Sequence, residues 1–340
     1  MYSRVCFFAR VASRDVLERV EFYAQDLQVL RELGYEVHIA TRFSELIEAD
    51  VYFAWWWTWA FEPLVFARWH RRPLVVTGTL DVHTYDSRPL YQRVLMATSL
   101  RGADANVFVS KMEYEGAPRK IRVRHPVYSP CSVDIDVYCP GISRGSDPIV
   151  LSIGWLTAAN ARRKGFYDLV RAAPLVRSAV PGVRFVFAGE HGSAVPELRE
   201  LASQLGVVDC IDFVGAITRQ EKVNLLQRCA VYAQPSWHEG FGVAILEALA
   251  CGAAVVTCAT GAVPEVVGDC AVLVAPGDAK DIARAIVELH RDHARARALG
   301  ECGRARAVTT FPLSRRREEL GQVMASVHPS GPAASVLRAS

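Results

Sequence analysis

The chain has 340 residues, 51% of them hydrophobic and 22% charged, with a formal net charge of +3. That length suits two domains better than one, and the composition is that of a well-filled soluble α/β protein. So small a net charge leaves no global nucleic-acid footprint, no stretch of about 18 apolar residues is present to span a bilayer, and no N-terminal segment reads as a signal peptide.

Short apolar runs alternate with longer amphipathic segments, the mark of βαβ units and a parallel sheet. In the first half the expected strands are Val5–Ala9, Val37–Thr41, Val51–Ala54, Leu74–Thr77, Ala105–Val109 and Ile121–Arg124. An expected helix over Val16–Leu33 ends at Gly34, a residue suited to a C-terminal stop. Trp55, Trp56, Trp57 and Trp59 read first as core. With Arg68, His70, Arg71 and Arg72 following, an aromatic contact with a lipid surface stays open. Pro140–Pro148 concentrates Pro, Gly and Ser and reads as a linker. The second half repeats the alternation with strands at Ile149–Ile153, Arg184–Ala188, Ile211–Val214, Val231–Gln234, Ala254–Thr257 and Val272–Val274. A last helix runs from Phe311 to about Val327, and 328–340 reads as a disordered tail. The nine cysteines include no Cys-x-x-Cys pair. Cys6, Cys229, Cys251 and Cys258 lie in apolar runs and read as core residues of a reducing, cytoplasmic compartment, not as a disulfide or zinc framework.

The most informative stretch is Ser236–Glu247, Ser-Trp-His-Glu-Gly-Phe-Gly-Val-Ala-Ile-Leu-Glu. It predicts a loop that delivers Glu239, then a helix that carries Glu247. The free N–H groups at the start of that helix, from Phe241, Gly242 and Val243, form a ready anion site. The two acids therefore bracket a nucleotide-linked phosphate. The run Ala-Ile-Leu-Glu-Ala-Leu-Ala is too apolar to be a surface face.

Together with Ala248–Gly252 and Gly261-Ala262-Val263-Pro264-Glu265-Val266-Val267, this stretch resembles the donor-binding core of glycosyltransferase family 4. These are retaining enzymes that use nucleotide sugars. The resemblance is strong from Val150 to Val287 and rests on element order in the first half. It implies an α/β protein of the GT-B fold, with two Rossmann-like parallel-sheet domains facing across a cleft. The acceptor domain is then 1–140, with a C-terminal helix 311–327 packing back on it, and the donor domain is 141–310. Lys164-Gly165 matches the pair whose lysine holds the diphosphate. Trp155 stands where the family has an arginine, so Arg162 or Arg163 of a longer loop is expected to supply the missing charge. Glu247 is expected on the two ribose hydroxyls, since a carboxylate accepts two hydrogen bonds at once. Glu239 is expected beside the donor sugar, with Gly240 and the backbone of Phe241, Gly242 and Val243 facing sugar or phosphate. The same comparison places Gly189, Val214 and Glu265 around the nucleotide, and Asp81 and His83 near the transferred sugar.

Two departures stand out. Thr260 replaces a glycine of the last loop, and Arg10–Arg14 replaces a glycine pair after the first strand. The implied reaction moves a sugar from a UDP- or GDP-linked donor to a hydroxyl of a sugar, polysaccharide or lipid-linked acceptor. It needs no metal or other cofactor, because cations and helix N–H groups neutralise the leaving diphosphate. A peripheral contact with the inner face of the membrane stays open. Asp134-Ile135-Asp136 reads as a coincidental Asp-x-Asp triplet. No phosphate loop or dinucleotide fingerprint is present, so NTPase and dehydrogenase readings fall away. Two alternatives remain: a nucleotide-sugar epimerase of the same fold, and a non-catalytic nucleotide-sugar-binding subunit.

Overall fold

The computed structural model describes residues 3–142 and 147–339. The chain divides into two units, Met1–Ser132 with Leu313–Ser340, and Val133–Pro312. The first unit opens with strands β1 (Arg4–Phe8), β2 (Glu36–Ala40), β3 (Val51–Trp55), β4 (Leu74–Gly78), β5 (Ala105–Phe108) and β6 (Pro126–Tyr128). Its helices are α1 (Asp15–Arg19), α2 (Glu21–Glu32), α3 (Phe61–Trp69), α4 (Leu90–Gly102) and α5 (Lys111–Lys120). The second unit holds β7 (Asp147–Ile153), β8 (Arg184–Ala188), β9 (Ile211–Gly215), β10 (Cys229–Gln234), β11 (Ala254–Cys258) and β12 (Val272–Val274). Among these run α6 (Ala158–Arg163), α7 (Phe166–Ala179), α8 (Ala194–Gln204), α9 (Arg219–Arg228) and α10 (Val243–Ala250). They are followed by α11 (Val263–Val267), α12 (Ala279–Arg291) and α13 (His293–Thr310). The chain then returns to the first unit as α14 (Leu313–Val327) and α15 (Pro332–Ala339).

Each unit has a six-stranded sheet, in the orders β2-β1-β3-β4-β5-β6 and β12-β11-β10-β7-β8-β9. All the strand pairs are parallel. A parallel sheet is covered on both faces, so its strands read as unbroken apolar runs. Accordingly every residue of β3 and β11 is buried. The aromatic rings of Phe166, Phe185 and Phe187 are fully buried in the second unit's core. Each such side chain contributes about 1.5–3 kcal/mol when removed from water. Strand order reverses between β1 and β3, and again between β7 and β10. At such a point adjacent strands send their connections to opposite faces, which leaves a crevice at their carboxyl ends.

Several boundaries differ from the sequence expectation. The helix expected over Val16–Leu33 is broken at Val20, whose extended backbone (φ −93°, ψ 112°) separates α1 from α2. The strand expected at Ile121–Arg124 forms later, as β6, because Ile121 ends α5 and His125 at φ 43° turns the chain before Pro126 starts an edge strand. Proline suits the first residue of an edge strand, where no ladder N–H is needed. Unit two begins at Val133, before the expected boundary at 140/141. The reason is local: Arg304 donates to the carbonyls of Ile135 and Tyr138, and Gln227 to that of Cys139. Ser143–Ser146 of the expected linker lie outside the described residues.

The expected tail 328–340 carries α15, which packs against α14 with Ala333 and Ala334 buried. Its composition misleads because Pro332 suits a first helical turn. α14 is fixed to the first unit by Arg316, whose Nε and Nη2 each lie 3.0 Å from the two oxygens of Asp26 on α2. Both side chains are 2% exposed. Contrary to the all-thiol expectation, Cys270 and Cys302 are disulfide-bonded with Cα atoms 5.3 Å apart. Their separation of 32 residues gives no sequence signal.

Candidate functional site

The β7/β10 crevice of the second unit gathers most of the expected donor residues. Close backbone approaches build it. Gly189, at φ 146° after β8, sits where a Cβ would lie 2.0 Å from the Gly154 carbonyl oxygen. A Cβ on Gly154 would lie 2.5 Å from Lys164 Cδ, so glycine there gives the lysine stem its path. Gly165, at φ 77°, presses against the Pro235 carbonyl, where a Cβ would come within 2.3 Å. Only glycine satisfies both the positive φ and the close contact. The Trp237 N–H donates to the Arg163 carbonyl at 2.8 Å, so the loop after β7 and the loop after β10 form one surface.

At its centre is Glu239, 5% exposed. Lys164 Nζ lies 3.1 Å from Oε1 and Arg163 Nη1 3.0 Å from Oε2. Oε1 also accepts from Gln234 Nε2 at 2.8 Å and Ser236 Oγ at 3.1 Å. Burial works to raise the carboxyl, yet Lys164 and Arg163 outweigh it and hold Glu239 below the usual glutamate range. Burial likewise pushes the Lys164 ammonium below the usual lysine range, against the pull of Glu239. Two basic side chains thus share one carboxylate.

The two candidate arginines part company. Arg163 also donates to the His238 carbonyl at 2.8 Å and to Asn160 Oδ1 at 2.7 Å, so it is held in the cluster. Arg162 Nη2 pairs with Glu197 at 3.0 Å and its guanidinium lies over the Tyr167 ring, on a side chain 64% exposed. Trp155 is half exposed, and its carbonyl accepts from Asn160 Nδ2 at 2.6 Å.

Gly240, Phe241 and Gly242 lead into α10, with Gly242 at φ 97° as the N-cap and Val243 the first helical residue. No side chain caps this end. Glu247 is the fifth residue of α10, is 2% exposed, and takes Lys222 Nζ on Oε1 at 2.6 Å. Glu265 lies in α11, and the carbonyls of Glu265 and Val266 are capped by Arg306. That helix abuts the cluster, since Ala262 N–H donates to the Glu239 carbonyl at 2.9 Å. Thr260, in the place of the family glycine, donates through Oγ1 to the Ser236 carbonyl at 2.8 Å. Val214 is half exposed on β9.

In the first unit, Asp81 stands at φ 53° after β4, its N–H on Glu113 Oε1 at 2.6 Å and its carboxylate 3.1 Å from Arg88. It lines a cavity of about 170 Å³ with Trp56, Trp57, Thr58, Trp59, Thr79, Arg88 and Met96. His83 is exposed on the same turn and does not line it. Trp55 and Trp57 of the tryptophan tract are core, while Trp59 is partly exposed. Asp134 Oδ1 accepts the backbone N–H groups of Asp136 and Val137 and so closes a turn. Among the described residues no cluster of three His, Cys, Asp or Glu side chains is arranged for a metal.

Residues 147–292 match the family model described as glycosyl transferases group 1. The second unit belongs to that family. A D-inositol 3-phosphate glycosyltransferase of Mycobacteroides abscessus is 33% identical over 187 residues, 51% of this chain and 39% of that protein. The GDP-mannose-dependent monoacylated alpha-(1-6)-phosphatidylinositol monomannoside mannosyltransferase of Corynebacterium glutamicum is 29% identical over 220 residues, 59% of this chain and 57% of that protein. The chain therefore spans well under two thirds of either relative. The structure of Anabaena Alr3699/HepE in complex with UDP and glucose matches with a TM-score of 0.80 at 18% identity, covering 96% of this chain and all of that one. This likeness shows the GT-B fold.

In the glycosyl transferases group 1 unit, sequence reasoning missed three polar residues of the crevice. Gln234 ends a core strand and Ser236 opens the loop, so both look like ordinary turn polarity. Lys222 sits on the polar helix α9, 25 residues from the acid it meets, and no local pattern announces it.

Proposed function

We infer that the chain is a retaining glycosyltransferase that moves a sugar from a UDP- or GDP-linked donor to an acceptor hydroxyl. The observation that carries this is the buried Glu239–Lys164–Arg163 cluster beside the uncapped start of α10. In this reading Lys164 and Arg163 receive the diphosphate as it leaves, and the first N–H groups of α10 add to the positive field. Charges fixed before the reaction stabilise the charge that develops in the transition state without reorganising. Released from part of its ion pairing, Glu239 accepts a hydroxyl of the donor sugar. Glu247 accepts the ribose diol, and Gly189, Val214 and Glu265 line the nucleotide. Asp81 and the cavity it lines take the acceptor, a sugar, polysaccharide or lipid-linked hydroxyl.

The two relatives support the substrate class, since both are glycosyl- or mannosyltransferases and one is GDP-mannose-dependent. No described helix is long and apolar enough to cross a membrane. Leu90, Tyr91 and Val94, exposed at the start of α4, supply the apolar surface for peripheral membrane contact. Trp155 in place of an arginine favours a second reading, binding without transfer.

Incubation with UDP- and GDP-sugars and a panel of sugar and lipid acceptors, read by mass spectrometry, tests the proposal. Transfer that persists in EDTA is expected. Epimer formation, or binding with no turnover, would select one of the other readings, and turnover restored only by Mn²⁺ would refute the metal-free mechanism.

A further inference from the structure

Glu247 has a partner that accepting a ribose diol does not by itself require. Lys222 Nζ lies 2.6 Å from its Oε1, and the lysine side chain is only 14% exposed. The ammonium also lies 5.1 Å from the centroid of the Tyr138 ring. Tyr138 is fully buried, and its carbonyl accepts from Arg304 Nη1 at 2.7 Å. The same Nη1 donates to the carbonyl of Ala250, the last residue of α10, at 3.1 Å. The ring under Lys222 is thus tied to the far end of the helix that carries Glu247. A lysine head ordinarily keeps its water. Burying it costs desolvation and side-chain freedom, which its contact with Glu247 must offset.

We propose that Lys222 is a positioning residue for Glu247: it holds the carboxylate in one orientation, the one in which it accepts the two ribose hydroxyls of the donor nucleotide. This rests on the assignment of Glu247 to the ribose. Without the Lys222 contact the carboxylate loses the fixed orientation in which it can accept from both hydroxyls of the diol. Lys222 acts through Glu247 and not on the diphosphate.

Calorimetric titration of the full chain with UDP, GDP, 2′-deoxy-UDP and 2′-deoxy-GDP tests this. The wild type is expected to bind its ribonucleotide about tenfold or more tightly than the 2′-deoxy form. Glu247→Gln and Lys222→Met should each bring that preference close to one, Lys222→Met should add little in the Glu247→Gln background, and Lys222→Arg should keep the preference. If Glu247→Gln loses the preference and Lys222→Met retains it, the proposal is overturned and the ribose assignment stands. The proposal is also overturned if Lys222→Met weakens both nucleotides equally, since the pair then only ties α9 to α10. No preference in the wild type, or a preference that survives Glu247→Gln, overturns the ribose assignment and the proposal together. Should Lys222→Met fail to fold, Lys222→Gln read against Lys222→Arg gives the same comparison.

Discussion

Arg162 and Arg163 are neighbours in sequence with opposite surroundings. Sequence spacing made both candidates for the charge that Trp155 does not supply, and nothing in the local pattern could choose between them. The choice is made by α6, which turns one guanidinium onto Glu239 and the other onto Glu197. Arg163→Ala is expected to lower kcat about ten- to a thousand-fold, the range of other lost transition-state donors. Arg162→Ala should be nearly silent, because its exposed ion pair is worth little. Steady-state kinetics on both variants check this, and a silent Arg163→Ala would remove the arginine from the diphosphate. Glu239 and Glu247 were legible as candidates because acids stand out against Gly and apolar neighbours, and Lys164 because Lys164-Gly165 resembles the family's pair. Lys222 was not, because its role exists only once α9 and α10 are packed.

At the scale of elements, the strands of both sheets were legible because parallel strands are buried on both faces and so read as apolar runs. What escaped was set by tertiary context. Val20 interrupts a continuous apolar pattern with one extended residue, β6 starts at a proline, and α15 hides in a Pro- and Ala-rich end. The crevice depends on strand ends approaching within reach of one another, and glycines permit this. Gly189→Ala should cost on the order of 2 kcal/mol or more, from positive-φ strain and a clash with the Gly154 carbonyl. Gly206, at φ 66° with nothing near its Cβ position, is the control. Gly206→Ala carries only the backbone strain, roughly 1 kcal/mol. Thermal melts of the two variants should therefore differ, and equal losses would show that the close approach is not needed.

For the whole molecule, the order of elements and the motif after β10 made two α/β units legible, the second of them similar to glycosyl transferases group 1. The unit boundary was harder, because Val133–Ile142 looks like connecting chain yet is held to the second unit by Arg304 and Gln227. The central claim is that the cluster at the β7/β10 crevice is built for the diphosphate of a sugar nucleotide. The most direct test is calorimetric titration of the full chain with UDP and GDP against uridine and guanosine, in the wild type and in Lys164→Met. A lost charge-assisted bond is worth about 1.5–3 kcal/mol, or roughly ten- to a hundred-fold in affinity. One diphosphate should bind at least that much more tightly than its nucleoside, and Lys164→Met should erase most of the difference. Equal affinity for nucleoside and diphosphate, or an advantage untouched by Lys164→Met, would contradict the claim.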